Sequence, residues 1–332
     1  MARLVLHIGT HKTGTTSAQD TFHANRATLA EHGVVYPDLG RHTGHHGLLT
    51  DWIALPQAYR LPGGARAALE KLAADWRGTD RTLLLSSEEF SRAGGRGGRV
   101  DFNELRRIFS GYELTLICVL RDQKSFLQSV YLELARNGPP PRPPALVSEA
   151  METSQVDGLW CNFNALYSGL RQTFAADEIR LLDYAAVRTA PGGLVSRLME
   201  VICPGTNPEI PVLPPDGWSN VSPGVLPVWA AQVIAAGGPA RPHLRRAAQE
   251  ASDLEFGPDR PQCLFTREES ARLDLHFAPS NAALATRLQG DGQHWQLSIP
   301  DRPPDTIHRE DLGAEFWIRL ARRLSYVVQD AA

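Results

Sequence analysis

Residues 4–17 read Leu-Val-Leu-His-Ile-Gly-Thr-His-Lys-Thr-Gly-Thr-Thr-Ser. Leu4, Val5, Leu6 and Ile8 predict a short buried strand of the kind that parallel sheets are made from. Gly9 ends it, Gly14 follows, and Ala18, Phe22 and Leu29 then recur at helical spacing. Strand, glycine loop and helix together make a phosphate cradle. Glycines let the backbone wrap an anion with its N–H groups inward. The helix start adds unpaired donors and a partial positive charge. Lys12 brings a full charge, and Thr15, Thr16 and Ser17 bring hydroxyls.

The glycine spacing is that of the nucleoside-triphosphate loop G-x-x-x-x-G-K-[ST], but Thr15 stands where that loop has its lysine. The lysine lies two places before the second glycine instead. Lys12-Thr13-Gly14-Thr15-Thr16 after a first strand resembles the 5′-phosphosulfate loop of sulfotransferases that use 3′-phosphoadenosine 5′-phosphosulfate (PAPS). The longer run H-I-G-T-H-K-T-G-T-T-S, residues 7–17, is similar to a group of bacterial sulfotransferase-like proteins. The resemblance implies that His11, Lys12, Thr13, Gly14, Thr15, Thr16 and Ser17 bind the co-substrate.

A second segment points the same way. Leu114–Leu120 reads as a strand, and Phe126, Leu127, Val130 and Leu134 follow at helical spacing. Arg121 therefore leaves the strand's C-terminal end, and Ser129, just over two helical turns on, faces roughly the same way. An arginine fork with a hydroxyl suits a phosphate. The pair resembles the 3′-phosphate segment of the same sulfotransferases. A late R-K-G run, which completes that site in many of them, has no counterpart after residue 190.

The resemblance implies transfer of a sulfuryl group from PAPS to a hydroxyl or amine, with adenosine 3′,5′-bisphosphate as product and no metal. Lys12 would neutralise the leaving oxygen. The acceptor needs a base. Glu88, just past the strand Thr82–Ser86, is the best match by position. Glu89 is next, since strand alternation sends one of the pair into the cleft, and His46 is third. Two other readings stay open. One is a P-loop small-molecule kinase, which needs Mg²⁺ and a hydroxyl directly after the loop lysine. The other is a non-catalytic nucleotide-binding partner protein.

The remaining pattern is a short strand or extended piece at Val34–Pro37 and strands at Thr82–Ser86 and Ile179–Tyr184, with helical stretches between them. Helical stretches fall at 64–78, 104–109, 160–173 and 193–202, then at 225–236, 268–288 (broken at Pro279) and 314–328. This predicts an α/β fold: a P-loop-like, mostly parallel β-sheet flanked by helices on both faces, with a helical C-terminal part. It is expected to be one domain over 1–332, with a core to about 204 and an extension from about 205. The proline-rich run Gly138–Pro144 is expected to exclude helix. Arg41–Gly47 carries three histidines, but no carboxylate or cysteine with ligand spacing accompanies them. A polar loop, with His45 or His46 reaching the acceptor, is preferred to a metal site. Gly94–Arg99 reads as a permissive loop. Ser219–Pro223 also looks like a segment of the bacterial group, with no chemistry attached.

Composition narrows the partners. Of 332 residues, 42% are apolar, enough for a large core, and the net charge of -3 gives no basic excess for a nucleic acid. No apolar run reaches membrane-spanning length, and Met1-Ala2-Arg3 leaves no space for a signal peptide before the first strand. The four cysteines are scattered, which fits a reducing compartment and a cytoplasmic location and gives no zinc spacing. The expected acceptor is a small molecule or saccharide. The stripe Phe316, Trp317, Leu320, Leu324 and Val327 suits core or a dimer face, which leaves a homodimer open.

Overall fold

The computed structural model describes residues 1–94, 97–206, 208, 210–213 and 224–329, with side chains to 325. The chain opens with β1 (Arg3–Gly9), α1 (Thr15–Ala24), α2 (Arg26–Glu31), β2 (Val34–Val35), α3 (Ala65–Trp76) and β3 (Thr82–Ser86). It continues through α4 (Phe102–Ile108), β4 (Glu113–Leu120), α5 (Gln123–Asn137) and α6 (Pro143–Thr153). A hairpin of β5 (Gln155–Val156) and β6 (Leu159–Trp160) precedes α7 (Phe163–Leu170), β7 (Ile179–Asp183), α8 (Tyr184–Thr189) and α9 (Gly193–Ile202). The remainder holds α10 (Val225–Ala235), α11 (Pro242–Phe256), β8 (Gln262–Cys263), α12 (Arg267–Gly290), β9 (Ile307–His308) and α13 (Ala314–Gln329).

The chain forms two compact units. The first takes in Met1–Asp122, Ser154–Pro215 and Ala278–Ile299, and the second Gln123–Thr153, Asp216–Phe277 and Pro300–Ala332.

In the first unit five strands form a parallel sheet in the order β2-β3-β1-β4-β7. Strand alternation sorts their side chains into two cores. Leu4, Leu6, Ile8, Leu83, Leu85, Leu116 and Leu120 pack with residues of α3, α4, α7 and the end of α12. Val5, Leu84 and Ile117 pack on the opposite face with α1, α2 and α9. This is the α/β architecture with helices on both faces, and it explains why β1, β3 and β4 read as mainly apolar. Each fully buried Leu or Phe contributes about 1.5–3 kcal/mol of transfer free energy.

Two details of the sheet place the site. The chain passes from β1 to β2 and β3 on one side, then crosses to β4 and β7 on the other. The crevice at the carboxyl ends of β1 and β4 is therefore a topological switch point, where open α/β sheets receive ligands. β1 also carries a bulge against β4: His7 pairs with Ile117, but Gly9 pairs with Cys118, so Ile8 is an extra residue. A bulge bends its strand and ends regular pairing, here just before the loop.

The second unit is mainly helical. α13 packs on α11, where Arg319 bonds Glu255 (2.6 Å), and Phe316 and Leu320 of its stripe are buried. Trp229 of α10 meets Trp317 edge-on at 5.9 Å, and β8 and β9 form a short parallel ladder.

Three local expectations need correction. α12 runs through Pro279 without a break, because a long helix tolerates one missing backbone bond when its flanks hold. α6 starts at Pro143, inside the proline-rich run, since a helix start has no use for the amide that proline lacks. Tyr184 is the first residue of α8 rather than the end of a strand, because Asp183 caps that helix by accepting the Ala186 N–H at 3.0 Å. Ser219–Pro223 and two residues of the Gly94–Arg99 loop lie outside the described residues. No described helix is long and apolar enough to cross a membrane. All four cysteines are buried.

Candidate functional site

The loop after β1 is shaped by three left-handed residues: Gly9 (φ 78°), Lys12 (φ 62°) and Gly14 (φ 84°). Lys12 is the costly one, since a side chain in that region is strained by about 1–2 kcal/mol. The loop is fastened from within. The Thr10 N–H and hydroxyl both donate to the Val119 carbonyl of β4, at 2.9 and 3.0 Å. The hydroxyls of Thr13 and Thr15 turn back to the Thr10 carbonyl, at 2.5 and 3.4 Å. These two hydroxyls therefore hold the loop's shape. The donors that face outward are the first amides of α1, which Gly14 leaves without a side-chain cap, together with exposed Thr16 and half-buried Ser17. Amides so placed can hold an anion.

Arg121 joins the loop from the end of β4. Its guanidinium donates to the Lys12 carbonyl at 3.1 Å and lies over the Tyr184 ring at 4.9 Å. Leu120 and Asp183 are paired in the sheet, so Arg121 and Tyr184 leave adjacent strands side by side. Burial lowers the Arg121 pKa, Tyr184 and Asp122 counter it, and the nearby positive charge of Arg188 lowers it further. Arg121 at the end of β4 thus reaches the loop, and Arg188, in the last turn of α8, is near enough for its charge to act on Arg121. Ser129, the other half of the clamp expected from sequence, stands on α5 in the second unit.

The carboxylates approach from β3. The Glu88–Ser91 segment is a 3₁₀ turn capped by the Ser87 hydroxyl, which accepts the Glu89 N–H at 3.3 Å. Strand alternation therefore does not decide which glutamate faces the crevice; the turn does. Glu89 is tied down: His11 Nε2 meets Oε1 at 3.3 Å, and Arg92 Nε bonds Oε2. Burial alone would raise its pKa, but His11 and Arg92 outweigh burial and hold it at about 2. So strong an acid is a poor proton acceptor near neutral pH.

Glu88 sits differently. A methyl group on Gly9 would stand 2.9 Å from Glu88 Cβ and 3.0 Å from its Cα, so only glycine lets loop and turn abut. Glu88 Oε2 accepts from Gln19 Nε2 at 3.1 Å and lies 4.0 Å from His46 Nδ1, which also contacts the Ser87 hydroxyl at 2.8 Å. Gln19 in turn reaches the Ser86 hydroxyl at 3.3 Å, and His7 Nδ1 meets that hydroxyl at 2.9 Å. A polar chain thus runs from fully buried His7 out to Glu88.

His45 and His46 part company. The Ser86 N–H donates to His45 Nδ1 (2.9 Å), which leaves its Nε2–H to donate to the Pro37 carbonyl (3.0 Å). The His45 N–H also donates to the Ser86 carbonyl at 2.8 Å. Burial holds this imidazole neutral, with its pKa pushed down to about 4. His45 is therefore a latch that fixes the histidine loop to the end of β3, and His46 is the member presented to Glu88.

The structure thus gathers the loop from His11 to Ser17 with Arg121, Glu88 and His46 in the first unit. Sequence reasoning missed Gln19, Ser86, Tyr184 and Arg188. Gln19 follows the loop by only a few residues on α1, next to Ala18 of the apolar stripe, and its position so close to the loop is a signal that was there to be read. Among the described residues no three of His, Cys, Asp or Glu converge as a metal cluster.

No protein-family model matches the sequence, and no curated protein matches it. Among solved structures, the crystal structure of a sulfotransferase from Alicyclobacillus acidocaldarius is similar to this chain. It superposes with a TM-score of 0.48 at 11% sequence identity, over 86% of this chain and 95% of that one.

Proposed function

We propose that the chain is a sulfotransferase that moves a sulfuryl group from PAPS to a hydroxyl or amine of an acceptor. One observation carries this reading. An anion-binding loop with a displaced lysine abuts a carboxylate at Gly9, and the same loop is held by the Arg121 guanidinium through the Lys12 carbonyl. This supports reading the loop and Arg121 as the donor side and Glu88 as the acceptor-side base. The sequence of the loop and its likeness to the phosphosulfate loop support the choice of sulfuryl over phosphoryl transfer.

In this scheme PAPS supplies the activated sulfuryl group. The α1 amides, Thr16 and Ser17 bind its 5′ end, and Lys12 neutralises the charge that builds on the leaving oxygen. Loss of one such contact costs about 3–4 kcal/mol of barrier. Arg121 and Arg188, with Tyr184 beneath Arg121, offer a second anion site suited to the 3′-phosphate. Glu88 takes the acceptor's proton, with Gln19 and His46 fixing its carboxylate. The new acceptor–sulfur bond forms as the bond from sulfur to the bridging oxygen breaks, and adenosine 3′,5′-bisphosphate leaves.

The test is thermal stabilisation by adenosine 3′,5′-bisphosphate against ATP with Mg²⁺. A ligand that binds the folded state raises the melting temperature with concentration. A rise with the bisphosphate alone is expected. A rise with ATP–Mg²⁺ alone would move the chain to the kinases, and no rise with either would refute a nucleotide site.

A further inference from the structure

Beside Glu88, three rings converge. Tyr59 ends the short 3₁₀ turn Gln57–Tyr59, and His42 lies against it with ring centroids 4.4 Å apart and planes tilted by 38°. His46 meets the same Tyr59 ring edge-on at 5.1 Å. The arrangement is built in by a close approach: a methyl on Gly47 would fall 2.4 Å from the Tyr59 carbonyl and 2.9 Å from Leu61 side-chain carbons. The Tyr59 ring is only half-buried. Burial raises its pKa first, and the charges of Glu88 and Glu89 raise it further, so its hydroxyl lies in the field of both carboxylates. His42 Nε2 is buried without a hydrogen-bond partner among the described residues.

We infer that Tyr59, backed by His42, is the acceptor platform, and that the acceptor is a neutral polyhydroxylated ring of the sugar type. The inference rests on the transferase reading for its chemistry but not for its geometry. A sugar ring has an apolar C–H face and a rim of hydroxyls. The face suits the amphipathic surface of Tyr59, and the rim can meet the imidazole of His46 and the carboxylate of Glu88 together. An anionic acceptor is disfavoured, because Glu89 is ionised beside the platform. A phenol or an aliphatic alcohol offers one hydroxyl and leaves the other polar groups unmet, which costs affinity. An amine would be drawn to the same carboxylates, so it is the competitor to exclude.

The experiment uses the full chain with adenosine 3′,5′-bisphosphate present at saturation. Saturation-transfer NMR is recorded with a set of neutral methyl glycosides, with 4-methylphenol and with hexylamine. Transfer to ring C–H protons of at least one glycoside is expected. Tyr59→Ala should weaken that glycoside about tenfold, the scale of a lost ring contact. Tyr59→Phe should keep most of the affinity. Bisphosphate affinity, measured by calorimetry, should be unchanged in both variants, which also shows that they fold. Transfer to the phenol or the amine with none to any glycoside overturns the inference, as does a glycoside signal indifferent to Tyr59→Ala. Glycoside binding that depends on Tyr59 without any bisphosphate binding would leave the platform standing and refute the transferase reading instead.

Discussion

Gly9→Ala tests the contact on which the site turns. Two costs add at this position. Alanine at φ 78° is strained by about 1–2 kcal/mol. Its methyl would also enter at 2.9 Å from Glu88 Cβ and 3.0 Å from Glu88 Cα, a clash with backbone that cannot rotate away. Overpacking of that kind costs about 1–3 kcal/mol. Gly33 supplies the control, for it has nearly the same φ of 77° and nothing within 4 Å of an added methyl. Gly33→Ala should therefore lose only the dihedral share. The difference between the two variants, about 1–3 kcal/mol, isolates the approach of the loop to Glu88. Urea unfolding followed by circular dichroism measures it, and calorimetry with adenosine 3′,5′-bisphosphate reports whether the loop has been displaced. Equal destabilisation by the two substitutions, with unchanged bisphosphate affinity in Gly9→Ala, would show that loop and turn do not abut as described.

Lys12→Ala should reduce sulfuryl transfer on the order of a hundredfold or more, and a variant as fast as the parent in a PAPS-coupled assay contradicts its role. Glu88→Gln should bind the bisphosphate normally yet transfer slowly; full activity would pass the role of base to His46. Stability should fall as the solution is acidified. Burial pushes the pKa of His7, like that of His45, down to about 4, so between roughly pH 6.5 and 4 the unfolded chain binds two protons that the folded chain refuses. The slope there approaches about 2.7 kcal/mol per pH unit, and His45→Gln should halve it. Glu89, held at about 2, adds a further loss below about pH 4.5. Urea midpoints across this range check the sign, and a curve flat from pH 7 to 4.5 rejects the neutral burial of both rings.

Legibility differed by element for physical reasons. β1, β3 and β4 could be read because they are covered on both faces and so carry largely apolar runs, whereas β7, at the sheet edge, alternates buried Ile179 and Leu181 with half-buried Arg180 and Leu182. The loop could be read because its function needs glycines at a fixed spacing. The proline at 279 misled because propensity weighs one lost backbone bond, whereas a helix of 24 residues is held by its packing. The glutamate pair was found, but the choice between them rested on strand alternation, and the local 3₁₀ turn set their directions instead. Gln19, Ser86 and Tyr184 escaped notice because their roles arise from neighbours far along the chain, Gln19 and Glu88 being 69 residues apart. His45 and His46 look equivalent in sequence, and only the backbone of β3 distinguishes the latch from the group it presents.

The extra residue that β1 carries opposite β4 makes the length of this strand as constrained as its composition. Exchanging one branched aliphatic for another along it leaves the cradle where it is. Removing a single residue would restore unbroken pairing, yet it would draw the whole loop back by about 3.3 Å and assign the demand for a left-handed backbone to a threonine. Variation in natural versions of this segment should therefore be read in insertions and deletions before it is read in substitutions.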